Sequence, residues 1–363
     1  MLLNISNLFV EFWNFIASID LFNRSILSFL TSFLMMLILG NKFIKLIKKT
    51  KKFIQPIRDD GPQSHLSKIG TPSLGGLLIM LCFIISSLIF VKTIDNLIMV
   101  IILGSSSFAF IGLIDDLLKL IFKNVAGLKG KLRLFLEFII AFFVIKYLLQ
   151  IYPPEISQSI LFPFFQSFFI PLGIVGIFIF GSFVLVGTAN SVNLTDGLDG
   201  LASWVCSGIL IILLALIFII ISPGIYIKFS YSSLFYYNQI RELEVIVSAL
   251  LGALLGFLWF NSYPAKIFMG DVGSLGVGSA IGIIVIAIKQ EFFLAVVGII
   301  LIVESLSVII QVYYYKFTKK RIFLMAPIHH HFEKKGYKET TIVSRIFLIT
   351  IVFGALALLF IDL

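Results

Sequence analysis

Residues 97–118 read LIMVIILGSSSFAFIGLIDDLL, in which an uncharged stretch runs into the carboxylate pair Asp115-Asp116. About twenty predominantly apolar residues are enough for an α-helix to cross the hydrocarbon core of a bilayer. Similar stretches recur along the chain, and the acidic residues fall in or beside the short breaks between them. The sequence therefore predicts an all-α polytopic membrane protein whose chemically active residues lie at the ends of its spans.

The composition of the whole chain points the same way. Hydrophobic residues make up 59% of the 363 residues, charged residues only 13%, and the mean hydropathy is +1.08. A soluble globular domain carries roughly twice that share of charge. The net charge of +9 does not indicate nucleic-acid binding, because its placement along the chain has a membrane explanation.

Ten spans are predicted, and together they form one integral membrane domain over residues 1–363. They lie near 22–45, 73–93, 97–118, 133–150, 170–188, 200–221, 244–260, 272–289, 292–315 and 342–361. Residues 1–20 lack the positive start of a secretory signal, and we interpret them as an interfacial segment anchored by aromatic residues.

Lysine and arginine concentrate in the first, third and ninth breaks between spans. These breaks hold Lys48, Lys49, Lys51, Lys52, Arg58, Lys68, Lys119, Lys123, Lys129, Lys131, Arg133, Lys316, Lys319, Lys320, Arg321, Lys334, Lys335 and Lys338. Because basic loops stay on the cytoplasmic side, the odd-numbered breaks are predicted to be cytoplasmic and both termini periplasmic. The acidic and histidine-containing segments then all face the cytoplasm.

Two acidic segments on that side are candidates for a metal and phosphate site. Lys119 lies one helical turn after Asp115, so the two share a face of the third span. The segment 268–274, FMGDVGS, places Asp271 between glycines at the start of the eighth span. Mg²⁺ prefers one or two carboxylates plus water and phosphate oxygens, which Asp271 and an acid from the 115–116 pair could supply. The alternatives are a solvated helix end at 115–116 and simple helix capping by Asp271.

A third candidate is the run NSVNLTDGLDG at residues 190–200. Its polar members are Asn190, Asn193, Thr195, Asp196 and Asp199. It is not an EF-hand, because the alternating acidic positions and the closing glutamate are absent. The helix that follows points its N-terminal N–H groups at the cytoplasmic surface, which favours a phosphate. A purely structural turn is the alternative.

Two further polar features occur near the C-terminus. Glu304, Ser307 and Gln311 recur at helical spacing, so they line one face of the ninth span and point to the protein interior. Residues 326–333 read APIHHHFE and hold three of the four histidines. Adjacent histidines are poor joint ligands for one zinc ion, so the loop indicates substrate contact or a surface turn.

At these residues the chain resembles the bacterial phospho-N-acetylmuramoyl-pentapeptide transferases (translocase I) over almost its whole length. The resemblance is carried by DDGPQSH at 59–65, GTPSLGG at 70–76, DDLLK at 115–119, the 190–202 run, MGDVGS at 269–274 and APIHHH at 326–331. The aspartate motifs alone indicate the wider superfamily of polyprenyl-phosphate hexosamine-1-phosphate transferases. The histidine loop and the 59–65 segment are more particular to the muramoyl enzymes. Ser73 and Tyr337 stand where threonine and tryptophan are expected.

The resemblance implies a ten-span enzyme of the bacterial cytoplasmic membrane, dimeric, with its active site in a cytoplasmic cleft. It would transfer phospho-MurNAc-pentapeptide from UDP-MurNAc-pentapeptide to undecaprenyl phosphate, giving lipid I and UMP with Mg²⁺. One alternative is a related transferase that uses UDP-GlcNAc. A more distant one is a lipid flippase or ion transporter with an acidic membrane site, although such transporters often show repeated halves that are not seen here.

The resemblance also implies roles for individual residues. Asp115, Asp116, Asp271 and His330 would be catalytic, and the three aspartates would surround the metal. Asp271 would hold Mg²⁺, Asp115 would handle the lipid phosphate, and Phe268 would stack on uracil. The implied substrate contacts are Lys68, Ser73, Lys119, Lys131, Asn190, Asn193, Asp196, Asp199, Phe268, Gly270, Ser274, Gln311, His329 and His331.

Overall fold

The computed structural model describes residues 15–16, 18–50, 68, 70–121, 127–162, 169–221, 234–359 and 361. The 59–65 segment, Lys123 and most of the N-terminal interfacial segment lie outside these residues. The helices are α1 (Leu21–Thr50), α2 (Gly75–Phe90), α3 (Asn96–Ile121), α4 (Gly130–Leu148), α5 (Pro154–Ser157), α6 (Gly173–Thr195), α7 (Leu201–Ile220), α8 (Leu234–Asn261), α9 (Gly270–Ala287), α10 (Glu291–Val297), α11 (Ile299–Thr318), α12 (Ile328–Lys334) and α13 (Glu339–Leu359).

Eight of these helices are long and apolar enough to span a membrane, namely α1, α3, α6, α7, α8, α9, α11 and α13. Helix α2 is apolar but shorter. Helix α4 overlaps the fourth predicted span and carries several charged residues, including Arg133 and Glu137. The all-α polytopic class is therefore confirmed. The orientation of the termini stays a prediction.

Some span ends are shifted: α6 continues to Thr195 instead of ending near 188, and α8 begins at Leu234 instead of near 244. Two further details differ from the spans predicted from hydropathy. The ninth span is broken at Gly298 into α10 and α11. A β-carbon at Gly298 would lie 2.8 Å from the Leu294 carbonyl oxygen, which explains why glycine occupies the break. The loop after α4 contains a small antiparallel sheet of β1 (Ser159–Leu161) and β2 (Phe169–Pro171), in which Ile160 pairs with Ile170. Neither feature changes the helical class.

Helix α9 lies at the centre of the bundle, and all of its residues except Asp271 are buried. Glycines let α2 and α3 approach it backbone to backbone. A β-carbon at Gly76 would overlap Gly273, and one at Gly112 would overlap the carbonyl group of Asp271. This close packing brings the end of α3, with its acid pair, against the first turn of α9.

The opposite end of the bundle is held by a buried ion pair. Arg24 on α1 donates two hydrogen bonds of 2.7 Å to the carboxylate of Glu242 on α8, and a third of 2.9 Å to the Phe90 carbonyl oxygen. The Lys92 backbone N–H also donates to Glu242 at 2.8 Å. Contacts from several segments thus hold the two buried charges together, and only Arg24 Nε lacks a hydrogen-bond partner among the described residues of this pair.

Candidate active site

Three carboxylates from two helices converge where α3 meets α9. Asp115 and Asp116 are only 2% and 4% exposed. The Val272 backbone N–H donates to Asp116 Oδ2 at 3.1 Å, and the Leu128 N–H donates to Asp115 Oδ1 at 2.6 Å. A β-carbon at Gly270 would lie 2.6 Å from Asp116 Oδ2, so glycine permits this approach. About 155 residues separate the acid pair from Asp271 in the chain, and the fold places them side by side.

Asp271 is held by cations and an amide and does not act as a helix cap. Lys119 Nζ lies 2.8 Å and Arg133 Nη1 3.2 Å from Asp271 Oδ2. Asn193 Nδ2 donates to the other oxygen, Oδ1, at 2.9 Å. The N-cap residue of α9, Met269, makes no side-chain capping hydrogen bond, and the Val272 N–H of the first turn is bound by Asp116 on α3 instead of by Asp271. Capping therefore does not explain this aspartate, whose carboxylate points at charged groups of neighbouring helices.

Lys119 and Arg133 balance the charge of the acid cluster. Lys119 Nζ also lies 2.5 Å from Asp115 Oδ2, so it bridges the acids of α3 and α9. Arg133 Nη2 donates to Asn190 Oδ1 at 2.7 Å, and Arg133 pairs with Glu137 one turn later on α4. A lysine or arginine held between carboxylates can also form charge-assisted hydrogen bonds to the oxygens of a phosphate group.

Arg133 is the main site residue that the sequence pattern did not indicate. Its neighbour Lys131 was expected to contact substrate. Lys131 is exposed, and the ion pairs of Asp115 and Asp271 go to Lys119 and Arg133. One signal could have found Arg133. It forms an i, i+4 pair with Glu137, and charged residues inside a membrane helix face the protein interior.

A layer of amide and hydroxyl groups lies beside the acids on α6 and α9. Asn190 and Asn193 are one turn apart and face the same way. Asn190 Nδ2 donates to Glu137 Oε2 at 2.5 Å, and Asn193 Nδ2 donates to Ser274 Oγ at 2.8 Å. With the further bonds from Asn190 Nδ2 to the Val186 carbonyl oxygen and from Asn193 Nδ2 to Asp271, both donors of each amide are used, which fixes the amide orientations.

Asp196 lies in the turn that follows α6. It accepts a hydrogen bond from the Gly270 backbone N–H, and its neighbours include Asp271 and Asp116. Burial, together with the negative charge of those neighbours, raises the pKa of Asp196 from 3.8 to about 7. The acid cluster is therefore short of positive charge on this side.

Lys68 and Asp199 pair with each other, whereas both were expected to contact substrate. Lys68 Nζ lies 2.7 Å from Asp199 Oδ1 and 2.7 Å from Glu339 Oε1. The Ala265 N–H donates to Asp199 Oδ2 at 2.9 Å. Burial lowers the pKa of Lys68, but the two carboxylates outweigh it and hold the pKa above its usual value. Glu339 was not selected from the sequence, because nothing local marks it.

The remaining predicted contacts border this cluster. Ser73 is 1% exposed, and its Oγ lies without a hydrogen-bond partner among the described residues. Phe268 is half-buried and its backbone N–H donates to the Pro72 carbonyl oxygen at 2.9 Å. Ser274 Oγ donates to the Gly270 carbonyl oxygen at 3.1 Å. Segments 70–76 and 268–274 thus pack on each other at the edge of the acid cluster.

The three histidines of α12 have different surroundings. His329 is fully buried, with Nδ1 3.0 Å from Glu304 Oε2 on α11. His330 is 8% exposed and its Nδ1 lies 3.0 Å from Glu333 Oε2. His331 is half-buried and accepts a hydrogen bond of 3.1 Å from the Leu324 N–H. Of the three, His331 is the most exposed, His330 keeps a small exposed fraction and His329 has none.

Gln311 supports the segment that leads into this histidine helix. Its Oε1 accepts hydrogen bonds from the N–H groups of Ile322 and Phe323, at 3.2 and 3.0 Å. Gln311 was expected to contact substrate, and in the structure its carbonyl oxygen is used to shape the loop after α11.

The donor set suits a hard divalent cation. Among the residues described, no three histidine, cysteine or acidic side chains form a ready-made metal cage. The cluster instead offers carboxylate oxygens, and the positive charges of Lys119 and Arg133 lie beside the Asp271 carboxylate. Mg²⁺ takes one or two carboxylates and keeps several waters, whereas zinc favours nitrogen and sulfur ligands. The residues therefore fit Mg²⁺.

A cavity of about 250 Å³ lies between α6, α10 and α11. Its lining includes Phe183, Thr188, Ser191, Gly298, Leu301 and Ser305. Phe183 is 64% and Leu306 47% exposed, so the cavity wall reaches the lipid-facing surface. At its polar end the hydroxyls of Ser191 and Ser305 are 2.7 Å apart, one residue from Asn190. The cavity therefore extends from an exposed apolar surface to a pair of hydroxyl groups, and one of these belongs to the residue that follows Asn190 on α6.

Known proteins are similar to this chain over almost its whole length. Residues 98–289 match the family described as Glycosyl transferase family 4. The chain is 42% identical to the phospho-N-acetylmuramoyl-pentapeptide-transferase of Vesicomyosocius okutanii subsp. Calyptogena okutanii (strain HA), over 95% of this chain and 97% of that protein. It is 42% identical to the protein of that name from Rickettsia montanensis, over 92% of each chain. For Neisseria meningitidis serogroup C (strain 053442) the identity is 38%, over 94% and 95%.

Proposed function

The chain belongs to the phospho-N-acetylmuramoyl-pentapeptide-transferase family, within glycosyl transferase family 4, and from this premise we propose its reaction. It transfers phospho-MurNAc-pentapeptide from UDP-MurNAc-pentapeptide to undecaprenyl phosphate, yielding lipid I and UMP for peptidoglycan synthesis. We further propose that Mg²⁺ is required, that the protein lies in the bacterial cytoplasmic membrane as a homodimer, and that the acid cluster faces the cytoplasm.

The observation that carries this proposal is the meeting of Asp115, Asp116 and Asp271 with Lys119 and Arg133. Both reactants are phosphate anions, so the enzyme has to offset charge and align them. Lys119 and Arg133 each lie within 3.2 Å of an Asp271 oxygen, and both are placed to turn toward phosphate oxygens when substrates enter. A lone acid pair on one helix would not achieve this.

In the overall reaction a bond forms between an oxygen of the lipid phosphate and the phosphorus that bears the sugar, and the bond from that phosphorus to the UMP oxygen breaks, in one displacement or by way of a phospho-enzyme on an aspartate. When bound, Mg²⁺ would polarise the phosphate oxygens and stabilise the charge on UMP, with Asp271 as its carboxylate ligand. Asn190 and Asn193 orient polar groups of the donor. Asp115 would interact with the lipid phosphate, and Asp116 would lie beside the bound metal. Phe268, at the half-buried edge, provides a face for uracil.

The lipid enters from the bilayer in this proposal. The cavity between α6 and α11 supports that route, since its apolar wall suits an isoprenoid chain. Its polar end, formed by the hydroxyl groups of Ser191 and Ser305, would take the polar head of the lipid, and Ser191 is next in the chain to Asn190 of the candidate site.

The test is UMP release by purified protein supplied with undecaprenyl phosphate and one UDP-sugar, with and without Mg²⁺. We expect turnover with UDP-MurNAc-pentapeptide and Mg²⁺ only. Turnover that is faster with UDP-GlcNAc would transfer the assignment to the related GlcNAc-1-phosphate transferases. No UMP release with either donor, from protein that is folded and supplied with Mg²⁺, would contradict the enzymatic assignment and favour a transport role.

A further inference from the structure

Glu304 and His329 form a buried pair between α11 and α12. Both side chains are completely shielded from solvent, and His329 Nδ1 lies 3.0 Å from Glu304 Oε2. Glu304 Oε1 and His329 Nε2 have no hydrogen-bond partner among the described residues. Buried polar atoms without partners are costly, so a pair that keeps two of them is poorly explained as a tether. A hydrophobic contact between α11 and α12 would hold the two helices at lower cost.

The Nε2 edge of the His329 ring lies against the turn that carries Asp196 and Asp199. A β-carbon at Gly197 would overlap His329 Nε2, and the three nearest atoms to that position all belong to His329. Gly197 does not have a positive φ, so its backbone would accept alanine. The absence of a side chain at this position is therefore explained by the imidazole alone.

We propose that Glu304 and His329 are positioning residues, which fix the turn at residues 196–199 against the acid cluster. His329 was expected to contact substrate, but its lack of exposure and its contact with Gly197 point to action through the turn. Glu304 orients the imidazole ring, and the ring holds Gly197 in place. Gly197 in turn fixes the position of Asp196, which accepts a hydrogen bond from the Gly270 N–H. His330 is coupled to the same pair, since its ring centroid lies 4.2 Å from that of His329. This inference rests on the proposed function.

The experiment is a double-mutant cycle on catalysis. Glu304→Ala, His329→Ala and the double variant are assayed for kcat, for KM of the UDP-sugar and for thermal stability in detergent. If the residues act as one unit, each single variant lowers kcat by about tenfold or more, and the double variant is no worse than the poorer single one. Glu304→Gln, which keeps the shape and a hydrogen-bond acceptor, recovers part of the lost kcat.

Gly197→Ala is the second arm. Its added methyl group would displace the imidazole, so kcat falls in the wild-type background. In the His329→Ala background the same change costs nothing further, because the space is then free. The matched control is Glu242→Gln, which breaks the buried pair with Arg24 at the other end of the bundle. It lowers thermal stability but leaves kcat per folded molecule unchanged, as expected for a purely structural pair.

The outcomes separate this inference from the proposed function. Wild-type protein that releases no UMP would refute the proposed function. Active wild-type protein in which the Glu304 and His329 losses multiply, or in which only thermal stability falls, would refute the positioning role. Equal losses from Gly197→Ala in both backgrounds would refute the contact through which His329 is proposed to act.

Discussion

Replacing Asp271 by asparagine tests the centre of the candidate site. The amide has the shape of the carboxylate and can still accept hydrogen bonds from Lys119 and Arg133, which lie 2.8 and 3.2 Å from Oδ2. It loses the negative charge that pairs with both cations and that would hold Mg²⁺. The change therefore alters electrostatics while it leaves the packing of α3 on α9 intact.

The expected loss of rate follows from the number of charged contacts. Hydrogen bonds to charged groups contribute about 1.5–3 kcal/mol each, against about 0.5–1.5 kcal/mol for neutral ones. Two such contacts are weakened, so about 2–3 kcal/mol of electrostatic stabilisation is lost at the reacting centre. Loss of one preorganised electrostatic group costs other enzymes about a hundredfold or more in rate. We expect kcat to fall at least about a hundredfold.

The assay is UMP release at saturating substrates over a range of Mg²⁺ concentrations, with thermal stability measured in parallel. Asp95→Asn is the control, because Asp95 accepts a hydrogen bond of 3.0 Å from the Ile98 N–H at the start of α3, as a helix cap does. This control measures how far kcat and thermal stability change when only an acidic helix cap is lost. Near-normal activity of Asp271→Asn, with an unchanged Mg²⁺ dependence, would show that this carboxylate neither holds the metal nor organises the cations.

Three further predictions concern charge, pH and topology. Arg133→Gln should lower kcat by about tenfold or more, since its contacts with Asp271 and Asn190 are lost, whereas Lys131→Gln should have a smaller effect in the same UMP assay. Folded Asp196 has a pKa of about 7 against 3.8 when unperturbed, so its ionisation destabilises the folded state and stability falls as pH rises through this range. The melting temperature of Asp196→Asn should then lie above that of the wild type at pH ~8 but not at pH ~4. If variant and wild type melt at the same temperature at both pH values, the raised pKa of this acid is contradicted. Cysteine at exposed Glu155, but not at exposed Lys335, should react with an impermeant thiol reagent added outside intact cells. The opposite labelling pattern would reverse the orientation.

Hydropathy alone determined the helical membrane class and the approximate place of each span. This is because a bilayer demands about twenty apolar residues per helix and satisfies no exposed backbone group. The same rule made acids near span ends conspicuous, so Asp115, Asp116 and Asp271 could be selected from the order of residues in the chain. It could not detect the break at Gly298, since apolar residues continue on both sides of that glycine.

Only the tertiary structure decided which selected residues meet and what each one touches. Lys131 and Arg133 are equivalent in a count of basic residues, but helix α4 directs Arg133 toward Asp271 and leaves Lys131 exposed. Likewise three consecutive histidines look alike in the chain, while successive positions on a helix point in different directions and give them different burial. Glu304 and His329 are 25 residues apart and become partners only because α11 and α12 pack together. Contacts between distant segments depend on how helices pack, and no local pattern in the sequence encodes that.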